Sequence, residues 1–577
     1  MKHTFRVWAP LPSRIRLQHG NKQSAMTKTQ DGWWQTQVEL TGGATDYGFI
    51  LDGEGPFPDP RSPWQPAGVH GLSRLVDHST FQWTDGGWQA PPLAAAVIYE
   101  LHTGTFTPEG TFDAAIGKLD HLVKLGVTHV ELMPVNQFCG NRGWGYDGVD
   151  LFAPHHGYGG PEGLKRFVNA CHARRLAVLL DVVYNHLGPV GNYLARFAPY
   201  FTKRYSAPWG KGPNFDGPES QEVRRFFCDN AAAWLRDYHF DGLRLDAVHA
   251  IFDTSAEHFL EQLGVEIKQL QAALGRHLVL IAESDLNDPR LLWSRERGGF
   301  ALDAQWCDDF HHALHVILTG ERNGYYADFG EISDLAKVLR EGYVYDGCYS
   351  KHRRRPHGRK ASGLGGDRFV VCLQNHDQVG NRAMGDRISA LVNLAALKIG
   401  SGLLLTSPFV PLLFQGEEWG ASTPFLYFTD YDEPKLARAV RQGRCDEFAM
   451  FEWKAEEVPD PQSLRTFRSS RLDWGELGVG THAKLFEWYR ALLRLRRAHP
   501  ELTDGDLARV RVDFDEAGRW LVMERGTITV ACNLSSRRAV VRLRGGGHRC
   551  LLASGGGVRV GRGGASLPAA SLAVFKT

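Results

Sequence analysis

The segment Gly242-Leu243-Arg244-Leu245-Asp246 alternates with period two, so Arg244 and Asp246 leave a strand on the same face. A cation beside a carboxylate favours its ionised form, which a carboxylate nucleophile requires. The segment Leu280-Ile281-Ala282-Glu283-Ser284-Asp285 carries Glu283 out of an apolar run into a polar loop. Desolvation and an ionised neighbour would raise its pKa there and let it protonate a leaving oxygen. Phe369 to Cys372 leads into Leu373-Gln374-Asn375-His376-Asp377-Gln378. His376 and Asp377 offer one donor and one ionised acceptor, suited to gripping sugar hydroxyls and to stabilising positive charge at an anomeric carbon. Asp181-Val182-Val183-Tyr184-Asn185-His186 adds another acid and another imidazole. Each has a plainer reading when taken singly. Arg244 and Asp246 could be a buried pair that holds a scaffold together, Glu283 a surface or helix-capping acid, and His186 a packing residue.

Such residues need a frame that brings distant segments to one place. From residue 91 onward, apolar runs of strand length alternate with helical patterns, the arrangement of parallel strands joined by helical crossovers. Eight runs are found: Val97 to Leu101, His129 to Met133, Ala177 to Val183, Gly242 to Asp246, Leu278 to Glu283, Ala304 to Asp308, Phe369 to Leu373 and Pro411 to Gln415. Helices are predicted between them, among others over Phe112 to Leu125, Leu164 to Arg174, Glu222 to Tyr238, Ala256 to Leu274 and Ile388 to Ile399. Eight β/α units predict a closed (β/α)8 TIM barrel of the α/β class, whose strands present side chains at their C-terminal ends. A doubly wound sheet is the rival, but no Gly-rich phosphate fingerprint opens a first helix. Short strand-like runs before Pro91-Pro92 predict an N-terminal β-sandwich over 1–90. The barrel is expected over 91–500. After a Leu- and Arg-rich helix from Phe486 to Arg497, runs at Trp520 to Met523 and Thr527 to Cys532 predict a C-terminal β-sandwich over 501–577.

Composition narrows the partners. Lys plus Arg number 66 and Asp plus Glu 65, so no global field favours nucleic acid or an anionic membrane. The nine cysteines lack paired metal-type spacing, and an odd count cannot pair completely, which fits reduced thiols in a cytoplasmic protein. No apolar stretch is long enough to span a bilayer, and the N-terminal residues lack the apolar core of an export signal. The basic run Lys351 to Arg355, with Arg359 and Lys360 behind it, lacks interleaved aromatics and reads as a solvated loop.

Together the four segments around Asp181, Asp246, Glu283 and Asp377 resemble, in order and residue type, the four signature regions of the α-amylase-type glycoside hydrolase family. The resemblance implies Asp246 as nucleophile, Glu283 as general acid/base and Asp377 as a third carboxylate that stabilises the transition state. It implies Arg244, His186 and His376 as binders of the attacked glucose, and Tyr146, in Trp144-Gly145-Tyr146-Asp147, as the aromatic on which that ring stacks. The mechanism implied is retaining, with the two carboxyls about 5–5.5 Å apart.

Further segments are similar to those family members that cleave the α-1,4 bond next to a terminal trehalose unit of a malto-oligosaccharide. They are Asp181 to Pro189, Glu283 to Asp288, Gln65 to Gly71, Phe414 to Gly420 and Pro424 to Asp430. This resemblance implies a companion enzyme that forms the trehalose-ended chain, and no cofactor. It makes His249, Asp308, Asp309, His312, Gln378 and Asn381 candidate substrate contacts. α-Glucan branching enzymes are the competitor, because they share the N-terminal module and a counterpart of Asp308-Asp309-Phe310-His311-His312. Asp308 and His312, four residues apart, could suggest a metal pair, but a strand end is expected to break the helical spacing, so no metal is assigned. Asn185 stands where many amylases bind calcium, without a large companion subdomain. A non-catalytic sugar-binding protein would be expected to lack one of the three carboxylates, and all three are present.

Overall fold

In chain order, eight short parallel strands close on one another. The computed structural model describes residues 2–40, 45–207, 209–449 and 458–577. The barrel strands are Ile98–Leu101, His129–Leu132, Ala177–Val182, Gly242–Leu245, Val279–Ala282, Ala304–Trp306, Phe369–Cys372 and Val410–Phe414. Each pairs with the next, and the eighth returns to the first. This closure excludes the doubly wound alternative.

Period-two alternation sorts the side chains. Ile98, Leu179, Ile281, Ala304, Val370 and Leu412 belong to an apolar plug inside the barrel, while the opposite strand faces join the large core shared with the helices. Towards the C-terminal ends the interior turns polar: Glu100, Glu131, Asp181 and Arg244 are all buried. The fourth strand opens with glycine because a Cβ on Gly242 would lie 2.4 Å from Val279 Cγ2 and 2.5 Å from its carbonyl oxygen.

The first strand ends at Leu101 as predicted, and the other seven end one or two residues before their predicted limits at the functional end. Asp246, Glu283 and Asp308 therefore stand just past the ladder, where the chain turns into loops. Asp308 does not end a strand. It opens the helix Asp308–Thr319, so Asp308 and His312 do keep helical spacing and the reason given above for setting the pair aside fails. The helix predicted over Phe112 to Leu125 is two, Phe112–Ile116 and Leu119–Leu125, separated at Gly117-Lys118. The one predicted from Ile388 also divides: Asn393 accepts from the Ala396 N–H and caps a second helix, Leu394–Thr406.

Before the barrel, a three-stranded and a five-stranded antiparallel sheet pack Phe5, Val7, Trp34, Leu17 and Phe49 into the main core. After it, a five-stranded and a three-stranded sheet enclose their own core around Val522, Val541, Leu567 and Phe575. Among the described residues no helix is long and apolar enough to cross a membrane.

Candidate active site

Arg244 is the hub of the barrel mouth. Its Nη1 donates to both oxygens of Asp181, at 2.8 and 2.7 Å, and to Asp246 Oδ1 at 2.8 Å. Its Nη2 lies 3.7 Å from Glu283 Oε2, and the guanidinium lies over Trp306, 4.2 Å from the ring centroid. Two residues that are 37 positions apart by numbering, Asp246 and Glu283, thus share one cation. Ion pairs this deep are tolerated because each charge has partners that replace its lost hydration.

Asp246 is fixed on its other side by Asn185, whose Nδ2 donates to its Oδ2 at 2.7 Å and to its carbonyl at 2.8 Å. The next residue, Ala247, adopts a left-handed conformation with φ 40°, costly for a residue with a Cβ. That conformation turns its N–H to donate to Glu283 Oε2. The Glu283 carboxyl is pushed up to about 8, first by burial and then by Asp246, Asp377 and Asp308, against the opposing pull of Arg244.

Asp377 stands more exposed on the rim at the start of the short helix His376–Gly380, with Asn375 capping it and Asn381 Nδ2 donating to its Oδ1 at 2.8 Å. Tyr146 reaches the site because Gly145, at φ +100°, passes so close to Pro134 that a Cβ would lie 2.1 Å from its carbonyl oxygen. The Tyr146 hydroxyl donates to Asp181 Oδ2 at 2.7 Å and lies 2.8 Å from His376 Nε2.

These groups face one cavity of about 850 Å³, roomy enough for an oligosaccharide segment, which also reaches His186, His249, Asp308, His312, Gln378 and Asn381. Burial pushes Asp308 up to about 7, helped by Asp377, Asp309 and Asp285, and pushes His312 down to about 3. Two carboxylates of opposed character, one ion-paired and one driven towards its neutral acid, are what acid-assisted displacement at a sugar carbon needs.

The description "Alpha amylase, catalytic domain" matches residues 77–206, and a domain of unknown function, DUF3459, matches residues 505–574. A crystal structure of a candidate alpha amylase from Salmonella typhimurium is 40% identical and superposes with a TM-score of 0.92, covering 100% of this chain and 98% of that one. A 1,4-alpha-glucan branching enzyme of Shewanella sp. (strain MR-4) is 25% identical over 90% of this chain and 67% of its own. The malto-oligosyltrehalose trehalohydrolase of Rhizobium sp. (strain M-11) is 49% identical over 99% of this chain and 97% of its own. The chain belongs to the malto-oligosyltrehalose trehalohydrolase family.

As a malto-oligosyltrehalose trehalohydrolase family member the chain is a glycosidase, and its cavity corrects one expectation. Asp309 does not face it. Its Oδ2 accepts from the N–H groups of Val344 and Tyr345, at 2.7 and 2.9 Å, and from Asn287 Nδ2 at 2.8 Å, so it braces a loop behind the site. Sequence reasoning also missed contributors. Glu100, from the first strand, holds His376. Trp209, on the hairpin after the third strand, stacks on His186 with centroids 5.2 Å apart. Arg353 comes from the basic run that was read as solvated, yet it lines the cavity and its Nη1 lies 3.0 Å from Asp285 Oδ2. Neither Trp209 nor Arg353 carries a local motif; only a predicted excursion over the barrel mouth could have flagged them.

Proposed function

We propose that this protein is a retaining glycoside hydrolase that cleaves the α-1,4-glucosidic bond adjacent to the terminal trehalose unit of malto-oligosyltrehalose and releases trehalose. Asp246, paired to Arg244, attacks the anomeric carbon of the glucose bound against Tyr146. Glu283 gives its proton to the departing trehalose oxygen, then takes a proton from the water that resolves the glycosyl-enzyme. Asp377 stabilises the positive charge that develops on the ring in the transition state of each step. His186, His249, Asp308, His312, Gln378 and Asn381 contact substrate hydroxyls. These steps use carboxylates and water alone.

The observation that carries the chemistry is the shared guanidinium, which sets Asp246 and Glu283 around one point at the barrel mouth. The choice of substrate follows from the named relatives. We place the protein in the cytoplasm, alongside an enzyme that forms malto-oligosyltrehalose. The α-glucan branching reaction is the reading to test against. Purified protein given maltopentaosyltrehalose should liberate trehalose far faster than it opens maltopentaose or builds branches. Preferential formation of α-1,6 branches from linear glucan would overturn the proposal.

A further inference from the structure

Beneath the catalytic carboxylates a hydrogen-bonded chain runs across five barrel segments. Glu100 Oε1 lies 2.5 Å from His376 Nδ1, and Glu100 Oε2 accepts from the His376 backbone N–H at 3.0 Å. His376 Nε2 meets the Tyr146 hydroxyl, Tyr146 donates to Asp181, and Asp181 receives Arg244, which continues to Asp246. The His376 side chain is 3% exposed and that of Glu100 1% exposed, so no bulk water supplies alternative partners.

The direction of each proton follows from counting donors. The Tyr146 hydroxyl has one hydrogen. Asp181 is pushed up to about 6, by burial and by Asp246 against Arg244, so at neutral pH it is an acceptor and takes that hydrogen. The Tyr146 oxygen must then accept from His376, which requires a hydrogen on Nε2. On the other side of the ring Nδ1 faces a carboxylate, which requires a second. We infer that Glu100 is a positioning residue for the glycosidase reaction: it holds His376 doubly protonated, so that Nε2 donates into the site and Tyr146 keeps its hydroxyl hydrogen turned towards Asp181.

The other charged neighbours agree. Burial pushes His376 down, but Glu100 and, secondarily, Asp377 more than offset it, against Arg244, so its pKa is raised. His102, beside it, is pushed down to about 4 by burial and adds no competing charge at neutral pH. Glu131, beside Glu100 in the barrel register, has both carboxyl oxygens buried without a hydrogen-bond partner and is pushed well up by burial and by Glu100, while Glu100 is the carboxyl that faces the imidazole. Remove the Glu100 charge and only Asp377 is left to oppose the desolvation of His376. The ring then loses a proton as pH rises, Nε2 becomes an acceptor, and it competes with Asp181 for the Tyr146 hydrogen.

The inference rests on the function proposed above, and its test separates the two. In the full-length protein, kcat and KM on maltopentaosyltrehalose are measured from pH 5 to 9 for wild type and Glu100→Gln. The wild-type to variant ratio of kcat/KM is expected to grow with pH, by about tenfold per unit between the two His376 pKa values, with KM rising as well as kcat falling. A ratio that is constant across the range, including a ratio of one, would overturn the inference. If the variant does not fold, 15N spectra of the wild-type imidazoles at pH 7, with His376 assigned by its loss in His376→Asn, decide it: two protonated nitrogens are expected, and a neutral ring would refute it. Wild type that leaves maltopentaosyltrehalose intact would sink the substrate reading, while the His376 spectrum would still judge this one.

Discussion

The backbone N–H of Ala247 donates to the Glu283 carboxyl, so the residue that follows the fourth-strand carboxylate holds the fifth-strand acid in place. Burial and three neighbouring carboxyls, against the opposing pull of Arg244, push Glu283 up to about 8. A general acid works while it holds its proton, so kcat/KM should fall as pH rises through about 8. The pH profile on maltopentaosyltrehalose measures this; an alkaline limb that survives unchanged in Glu283→Gln would assign the titration to another group.

Removing either principal carboxylate separates their roles. Asp246→Asn should lower kcat on every substrate by at least about 10³-fold, because no covalent intermediate can form. Glu283→Gln should lower it by ~10²–10⁴-fold on the natural substrate. The first step of Glu283→Gln should suffer far less with α-glucosyl fluoride, whose leaving group needs no proton. Equal losses on both substrates would contradict the acid role.

Arg244 binds Asp181, Asp246 and Glu283 through one fork. Arg244→Lys keeps the charge but not the fork, and should cut kcat strongly. Breaking such a buried network costs about 3–5 kcal/mol, so the midpoint of denaturant unfolding should drop as well. Activity within twofold of wild type would show that the hub is not needed.

Asp309 and Asp308 are adjacent in sequence and should behave oppositely. Asp309→Ala strands two backbone N–H groups and Asn287, at about 1–3 kcal/mol for each unsatisfied group, so it should lower stability and leave KM nearly unchanged. Asp308→Asn should raise KM with little loss of stability. Calorimetry beside steady-state kinetics separates them, and a large KM effect from Asp309→Ala without lost stability would put Asp309 back among the substrate contacts.

The lower end of the barrel has its own pH dependence. His172 lies between two carboxylates, its Nδ1 2.8 Å from Asp85 and its Nε2 3.0 Å from Asp241. Burial pushes its pKa down, but the two hydrogen bonds and charges outweigh it, so the folded value is raised above 6.5. The stabilisation is therefore complete below the unfolded value and is lost as pH rises through the folded one. Thermal unfolding should show wild type losing stability on the alkaline side more steeply than His172→Asn. Parallel curves would disprove the clasp.

How much of this could be read from residues alone depends on the range of the interactions. The alternation in residues 242–246 and the acid at each strand end are local patterns, and they gave the barrel strands to within one or two residues and brought Asp246, Glu283 and Asp377 to one cavity. Glu100 was illegible: it sits in a short buried run beside Ile98, Tyr99 and Leu101, and its partner His376 lies 276 residues away. Asp309 was misread because it adjoins Asp308; once a helix starts there, successive side chains diverge by about 100°, and only Asp308 faces the cavity. Arg353 was lost in a basic run whose neighbours are mostly exposed.

Trapping the covalent intermediate tests the account most directly. Wild-type protein treated with a fluorinated α-glucosyl fluoride that accumulates the glycosyl-enzyme, then digested and analysed by mass spectrometry, should carry one sugar on the peptide that contains Asp246, with the ester on that residue. A sugar found on another carboxylate, or none together with release of the inverted anomer, would contradict it.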